Sequence, residues 1–237
     1  INNISILNSS INTKYNIKDQ IVIFQSDGSR FYNSKIDYNG QLAINPFDLN
    51  LKINLYEYKI SNLFTPNSIF NEFIKSGLLF NENISVHTLV NIESTKKDEI
   101  FNEAKLELTV LNGKISFDKS VFINNDIGLI EIFNSDLFLK NDKLILTSNL
   151  SIDIKNINRL YSFLNTSKNS RKDIKNIKLN IIYDFLSNQI ELKNIKINDN
   201  DVSSQFNNVA EGFIDINSNN LTKSRKLLNE LINLYAG

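Results

Sequence analysis

Residues 143–155 read KLILTSNLSIDIK, and the alternation within them sets the architecture. Leu144, Leu146, Leu150, Ile152 and Ile154 fall on one side of an extended chain. Lys143, Thr147, Asn149, Ser151, Asp153 and Lys155 fall on the other, with Ile145 the one apolar exception. A period of two is the mark of a strand with one buried face. The run is about twice the mean strand length and spans roughly 35–40 Å at ~3.3 Å per residue.

The same pattern recurs outward from this segment. In residues 174–185, Ile177, Leu179, Ile181, Tyr183 and Phe185 oppose Asn176, Lys178, Asn180 and Asp184. Ala104, Leu106, Leu108 and Val110 form a third set, Leu49, Leu51, Ile53 and Leu55 a fourth, and Ile84, Val86, Val90 and Ile92 a fifth. Asn39-Gly40, Asn112-Gly113 and Asp27-Gly28 read as hairpin signals, because such pairs tolerate the positive φ that tight turns need. Asn141-Asp142 is expected to turn one strand into the next. At Lys193-Asn194 the alternation slips phase, which predicts a bulge. The expected fold is therefore mainly β: a long antiparallel meander forming a curved sheet or an open groove.

Three short helices interrupt the strands. Thr65 with Pro66 reads as a helix start, followed by an apolar stripe of Ile69, Phe70, Phe73, Ile74 and Leu78. Ile157, Leu160, Tyr161 and Leu164 make a second stripe, and Leu227, Leu228, Leu231, Leu234 and Tyr235 a third. Helices return about every 70–90 residues after a block of strands, a weak internal repeat. Residues 166–173 read as a polar loop. No Pro/Gly-rich linker divides residues 1–237, which are expected to form one continuous domain.

Composition narrows the functional classes. Lys+Arg and Asp+Glu both number 26, so the chain lacks the basic excess expected of a protein that wraps nucleic acid. No apolar run approaches the ~20 residues that span a bilayer. With no cysteine, disulfides and thiolate metal sites are excluded. With no methionine, Ile1 is not expected to be the original start, and a signal or anchor would lie upstream. The 40 asparagines are interleaved with apolar residues and not clustered; they read as the imprint of an AT-rich genome.

The search for chemistry is short. His87 is the one histidine and lies on the polar side of its strand; a triad needs a base beside a nucleophile and a third group to orient it. Asp199 and Asp201 alternate with asparagines, faintly like a calcium loop. Ser204 stands where that loop needs glycine, and Ala210 where it needs a final carboxylate, so a polar turn is expected. The remaining carboxylates are scattered singly. No enzyme, metal or cofactor is expected. Lys168, Arg171 and Lys172 read as a solvated loop, with contact to anionic lipid head groups as the minor reading.

The apolar face then carries the functional argument. Three short helices cannot cover a sheet of many such strands, so either the sheet folds on itself or part of its face stays available. The groove candidates are Leu106, Leu108, Leu144, Leu146, Leu150, Ile152, Ile154, Ile177, Leu179 and Ile181, positioned to meet an extended apolar ligand such as an acyl chain.

Residues 41–55 (QLAINPFDLNLKINL), with a strand, a Pro-Phe step and a further amphipathic strand, resemble the AsmA-like family. Residues 111–123 (LNGKISFDKSVFI) and 134–164 (NSDLFLKNDKLILTSNLSIDIKNINRLYSFL) are similar to its strand–strand–helix phrasing. The resemblance implies a periplasmic protein anchored in the bacterial inner membrane by an N-terminal helix. It also implies a long apolar β-groove that moves phospholipid towards the outer membrane, and it brings no catalytic residues. Two other classes stay open. One is a structural or interaction β-repeat with a closed core. The other is an outer-membrane barrel, which would want aromatic girdles, whereas tryptophan is absent.

Overall fold

The computed structural model describes residues 2–6, 9–32, 34–65, 68–94, 100–187, 189–202 and 221–236. Among these residues, fifteen strands join in a single sheet. The first part comprises β1 (Asn2–Ile6), β2 (Ser9–Lys18), β3 (Ile21–Ser26), β4 (Ser29–Phe31), β5 (Ser34–Ala43) and β6 (Phe47–Tyr56). The middle comprises β7 (Ile84–Glu93), β8 (Glu103–Leu111), β9 (Lys114–Ser116), β10 (Val121–Asn124), β11 (Gly128–Lys140) and β12 (Lys143–Ile154). The last part is β13 (Asn176–Asp184), β14 (Gln189–Ile197) and β15 (Asn200–Asp201). Three α-helices accompany them: α1 (Ile69–Lys75), α2 (Ile157–Leu164) and α3 (Leu221–Ala236). The chain is mainly β, with strands up to 13 residues long, as the alternation requires.

The meander has one exception. β6 and β7 run parallel, with Phe47 opposite Ile84 and Tyr56 opposite Glu93. A parallel pair needs a crossover the length of a strand, and residues 57–83 supply it with a short 3-10 helix (Ile60–Phe64), α1 and a second 3-10 turn (Leu78–Phe80). The expectation of a wholly antiparallel meander is corrected here. Helical content says nothing about which end of the sheet a connection returns to.

The local signals divide in the same way. Asn112 (φ 52°) and Gly113 (φ 71°) turn β8 into β9, and Asn141 (φ 51°) and Asp142 (φ 57°) turn β11 into β12. Asn194 (φ 50°) sits in the register shift between β13 and β14, the bulge read from the phase slip. Asn39-Gly40 is not a turn: both residues lie inside β5. Glycine stands there because the Phe24 ring lies over it, and a Cβ at Gly40 would meet Phe24 Cζ and Asn50 O, each at 2.6 Å. The first helix is also displaced. Ser68, not Thr65, is the N-cap, accepting a hydrogen bond from Asn71 N; Thr65 ends the preceding 3-10 helix, and Pro66 lies outside the described residues. The stretch around Asp199 is a tight turn in which Asn198 (φ 48°) and Asp199 (φ 64°) join β14 to β15.

An internal repeat is visible in two broken strands. β3 and β4 form one interrupted strand between β2 and β5. β9 and β10 form another between β8 and β11. At each break a buried serine, Ser29 at the start of β4 and Ser120 just before β10, serves both backbone groups of one residue on the neighbouring strand. Ser29 Oγ accepts from Asn12 N (2.9 Å) and donates to Asn12 O (3.0 Å); Ser120 Oγ accepts from Glu107 N (2.9 Å) and donates to Glu107 O (3.4 Å). The hydroxyl substitutes for ladder bonds that the break removes, which a buried backbone requires.

Candidate functional site

The pairing registers place all ten groove candidates on one face of the sheet. Directly paired residues point the same way, so the face can be traced across the molecule. Leu150 pairs with Ile132 and Leu179, and Ile152 with Ile130 and Ile177. Leu146 pairs with Leu137 and Tyr183. Ile130 pairs with Phe122, Phe122 with Ala104 and Ala104 with Ile92, which carries the face into β8, where Leu106 pairs with Val90 and Leu108 with Thr88. It continues through Ile53, Tyr38, Leu42 and Val22 to Ile17 in β2.

The opposite face is mainly polar, although Ile23 and Leu111 are exposed on it. Asn91 Nδ2 donates to Asn54 Oδ1 (2.9 Å), and Asn180 Nδ2 donates to Asn149 Oδ1 (2.6 Å), so asparagine amides pair across neighbouring strands. Lys35–Asp37 and Lys193–Glu191 pair along their strands at 2.9 and 3.1 Å; such exposed pairs add little stability. His87 is exposed on this face, opposite Asn50 and Thr109. Among the described residues, no three His, Asp or Glu side chains gather as a metal-binding group, and no helix is long and apolar enough to cross a membrane.

Helical segments cover the apolar face in three places. The segment 60–64 packs Ile60 over Ile36, Leu55, Ile92 and Phe122. Helix α1 and the following turn pack Ile74 and Leu79 over Val86, Leu108, Val110, Ile115, Leu137 and Leu144. Helices α2 and α3 pack Tyr161, Leu164 and Ile232 over Ile174, Ile195 and Ile197. The burial that results is strong enough to move side-chain ionisation. Tyr58, beside Ile60, has its phenol pushed up to about 12 by burial and, secondarily, by Tyr32. Tyr183, on the same face, is raised by burial and by neighbouring Asp184.

The candidate set therefore splits. Leu108 and Leu144 are buried beneath α1 and belong to the core. Leu106 and Leu146 are partly buried against the first two clusters, and Ile154, Ile177 and Leu179 against the third. Leu150, Ile152 and Ile181 are partly buried to the same degree but belong to none of the three clusters formed by the described residues. Sequence reasoning missed further open positions on this face. Tyr15 and Ile17 in β2 are 49% and 59% exposed, Phe47 in β6 is 37% exposed, and Leu139 in β11 is exposed as well. The alternation Tyr15-Ile17 in β2 and Val22-Phe24 in β3 was the available signal, blurred in β3 by Ile21 and Ile23 on the opposite side.

Among the described residues, the site is thus an apolar sheet face, roofed in three patches and open between and beyond them, with a mainly polar reverse side. No family model matches this chain, and no curated protein or solved structure is detectably similar to it.

Proposed function

We propose that this protein is a non-enzymatic carrier that shields phospholipid acyl chains on the open parts of its apolar face. One observation carries the reading: all described strands belong to one sheet, so no second sheet covers that face, and its helical roofs leave Leu150, Ile152, Ile181, Tyr15, Ile17 and Phe47 partly or largely exposed. Open sheets of this many strands are uncommon unless something covers or curls them.

The magnitudes suit a carrier. A phospholipid has roughly 30 chain methylenes, and exposing each to water costs about 0.8 kcal/mol. Unshielded transfer through water would cost over ~20 kcal/mol on that count. A sheet face need only replace the hydrocarbon of the bilayer, so binding can be weak while transit stays protected. The resemblance to AsmA-like proteins extends the proposal to a periplasmic site, attachment to the inner membrane, and delivery of phospholipid towards the outer membrane.

Lipid extraction and mass spectrometry of the purified protein test it, with near-stoichiometric phospholipid as the expected result. A folded, lipid-free protein that takes up no fluorescent phospholipid would overturn it. It would favour an interaction β-repeat with a closed core, the reading to which the burial of Leu108 and Leu144 lends support.

A further inference from the structure

The charges of this neutral chain are segregated. Residues 155–175, which contain α2 and the loop that returns to β13, hold six of the 26 basic residues and one of the 26 acidic ones. The rest of the chain is left with 20 basic and 25 acidic residues. Lys155, Arg159, Lys168, Arg171, Lys172 and Lys175 are all exposed. Helix α3, packed against α2, brings exposed Lys226 beside Glu230.

Two cations of the segment are held by neutral groups. Arg171 donates through Nε and Nη2 to Thr166 O (3.2 and 3.0 Å) and lies 5.6 Å from the centre of the Tyr161 ring. Lys172 donates to Tyr235 O (3.0 Å) and lies 5.4 Å from the Tyr235 ring. Carbonyls and ring faces fix these side chains without cancelling their charge. The two acids of the cap reach only Lys175 (Asp173, 3.9 Å) and Lys226 (Glu230, 4.0 Å), and neighbouring Asp199 is engaged by Lys178 at 2.9 Å. Among the described residues, Lys155, Arg159, Lys168, Arg171 and Lys172 form no ion pair with a carboxylate.

The cap also stands at one end of the strands. It leaves the sheet after Ile154, the end of β12, and returns just before Asn176, the start of β13. We propose that this basic cap docks end-on against an anionic lipid bilayer. A long polyphosphate lying along the molecule would run from the cap onto a surface with excess acid and be repelled there; a bilayer touching this end of β12 and β13 meets the cap with the turn acids Asp126, Asp199 and Asp201 beside it, of which Asp199 is already paired with Lys178. The inference rests on charge and does not need the acyl-chain reading.

Flotation of the full chain with phosphatidylglycerol-containing vesicles and with phosphatidylcholine vesicles tests it. Binding is expected to the first and not the second, and to weaken from low to physiological salt as screening shortens. Lys155→Gln, Arg159→Gln and Lys168→Gln together remove three solvated cations. Each is expected to contribute about fivefold near an anionic surface, so the triple variant should bind about a hundredfold more weakly with an unchanged melting temperature. Equal binding to both vesicles, no binding, undiminished binding by the triple variant, or tighter binding to duplex DNA than to anionic vesicles would each overturn the proposal. Vesicle binding by a protein that carries no extractable phospholipid would leave it standing while removing the acyl-chain reading.

Discussion

Ile197 in β14 and Ile17 in β2 lie on the same apolar face of the same sheet, yet one is 3% exposed and the other 59%. Both belong to strands that alternate polar and apolar residues, and both lie near the end of a strand. The difference is the roof. Over Ile197 lie α2 and α3; Tyr15, beside Ile17 on this face, is also exposed. Strand alternation specifies which way a side chain points. Whether anything meets it there is decided by segments remote in sequence, and it separates core from candidate ligand surface.

The largest expected effect is at the roofed end. Ile197→Asp places a carboxylate among the buried apolar side chains beneath α2 and α3, a cost of several kcal/mol, comparable with the whole stability of a marginal domain. Loss of the cooperative thermal transition, or a protein recovered only unfolded, is the outcome to look for. Retention of wild-type stability would mean that the helical roof is not closed in solution.

A second roofed position reports through pH. Burial holds the Tyr58 phenol neutral up to about 12, against an ordinary value of 10.0. The unfolded phenol ionises first, so the contribution is fully present below pH 10 and is lost as pH rises towards 12. The loss amounts to about 2–3 kcal/mol at the upper limit. Urea unfolding across that interval should show the decline, and Tyr58→Phe should remove that part of it.

How much of this was legible in the sequence follows from the same comparison. The face of β12 could be read directly, because Leu144 through Ile154 alternate for a full strand with one interruption, and the turns at Asn112-Gly113 and Asn141-Asp142 carry their own backbone requirement. The bulge at Asn194 was legible as a phase slip. Gly40 misled because a strand glycine covered by an aromatic ring and a turn glycine look alike in one dimension; the partner, Phe24, is two strands' worth of chain away from being obvious. The parallel β6–β7 pair and the serine-bridged breaks at Ser29 and Ser120 depend on long-range register, which composition does not encode. The strand registers put all ten candidate residues on one face, but the partition of that face into roofed and open parts required the placement of α1, α2 and α3.

Between the two extremes lies Leu150. It is partly buried, points the same way as Ile197, and lies outside the buried clusters. Leu150→Asp is expected to lower stability by about 1 kcal/mol, the ordinary size for a partly exposed substitution, because water can reach the carboxylate. Bound phospholipid should fall sharply, since acyl chains would have to pass a charge. Asn149→Asp on the polar face, which keeps the acceptor for Asn180 Nδ2, serves as the control and should change neither quantity. Unfolding of the Leu150 variant would assign this strand to a closed core, and normal lipid content in a stable variant would take it out of the lipid path.

The smallest effect is expected at Ile17, and it is the sharpest test of openness. At 59% exposure, the side chain already leaves most of its surface in water, so replacing it with aspartate removes little buried apolar area and creates no desolvated charge. Exposed substitutions of this kind change stability by about 0.5 kcal/mol or less. The neighbouring pair Ile17–Val22 is a direct cross-strand contact beside the Asp19-Gln20 turn, and its loss accounts for the few tenths that remain. Chemical denaturation of Ile17→Asp alongside Ile197→Asp measures the contrast: near-coincident curves with the wild type for the first, collapse for the second. A loss of more than about 2 kcal/mol at Ile17 would require a cover over the β2–β3 tip comparable to the one α3 provides at the other end, and the open region of the face would then shrink to the strip around Leu150, Ile152 and Ile181.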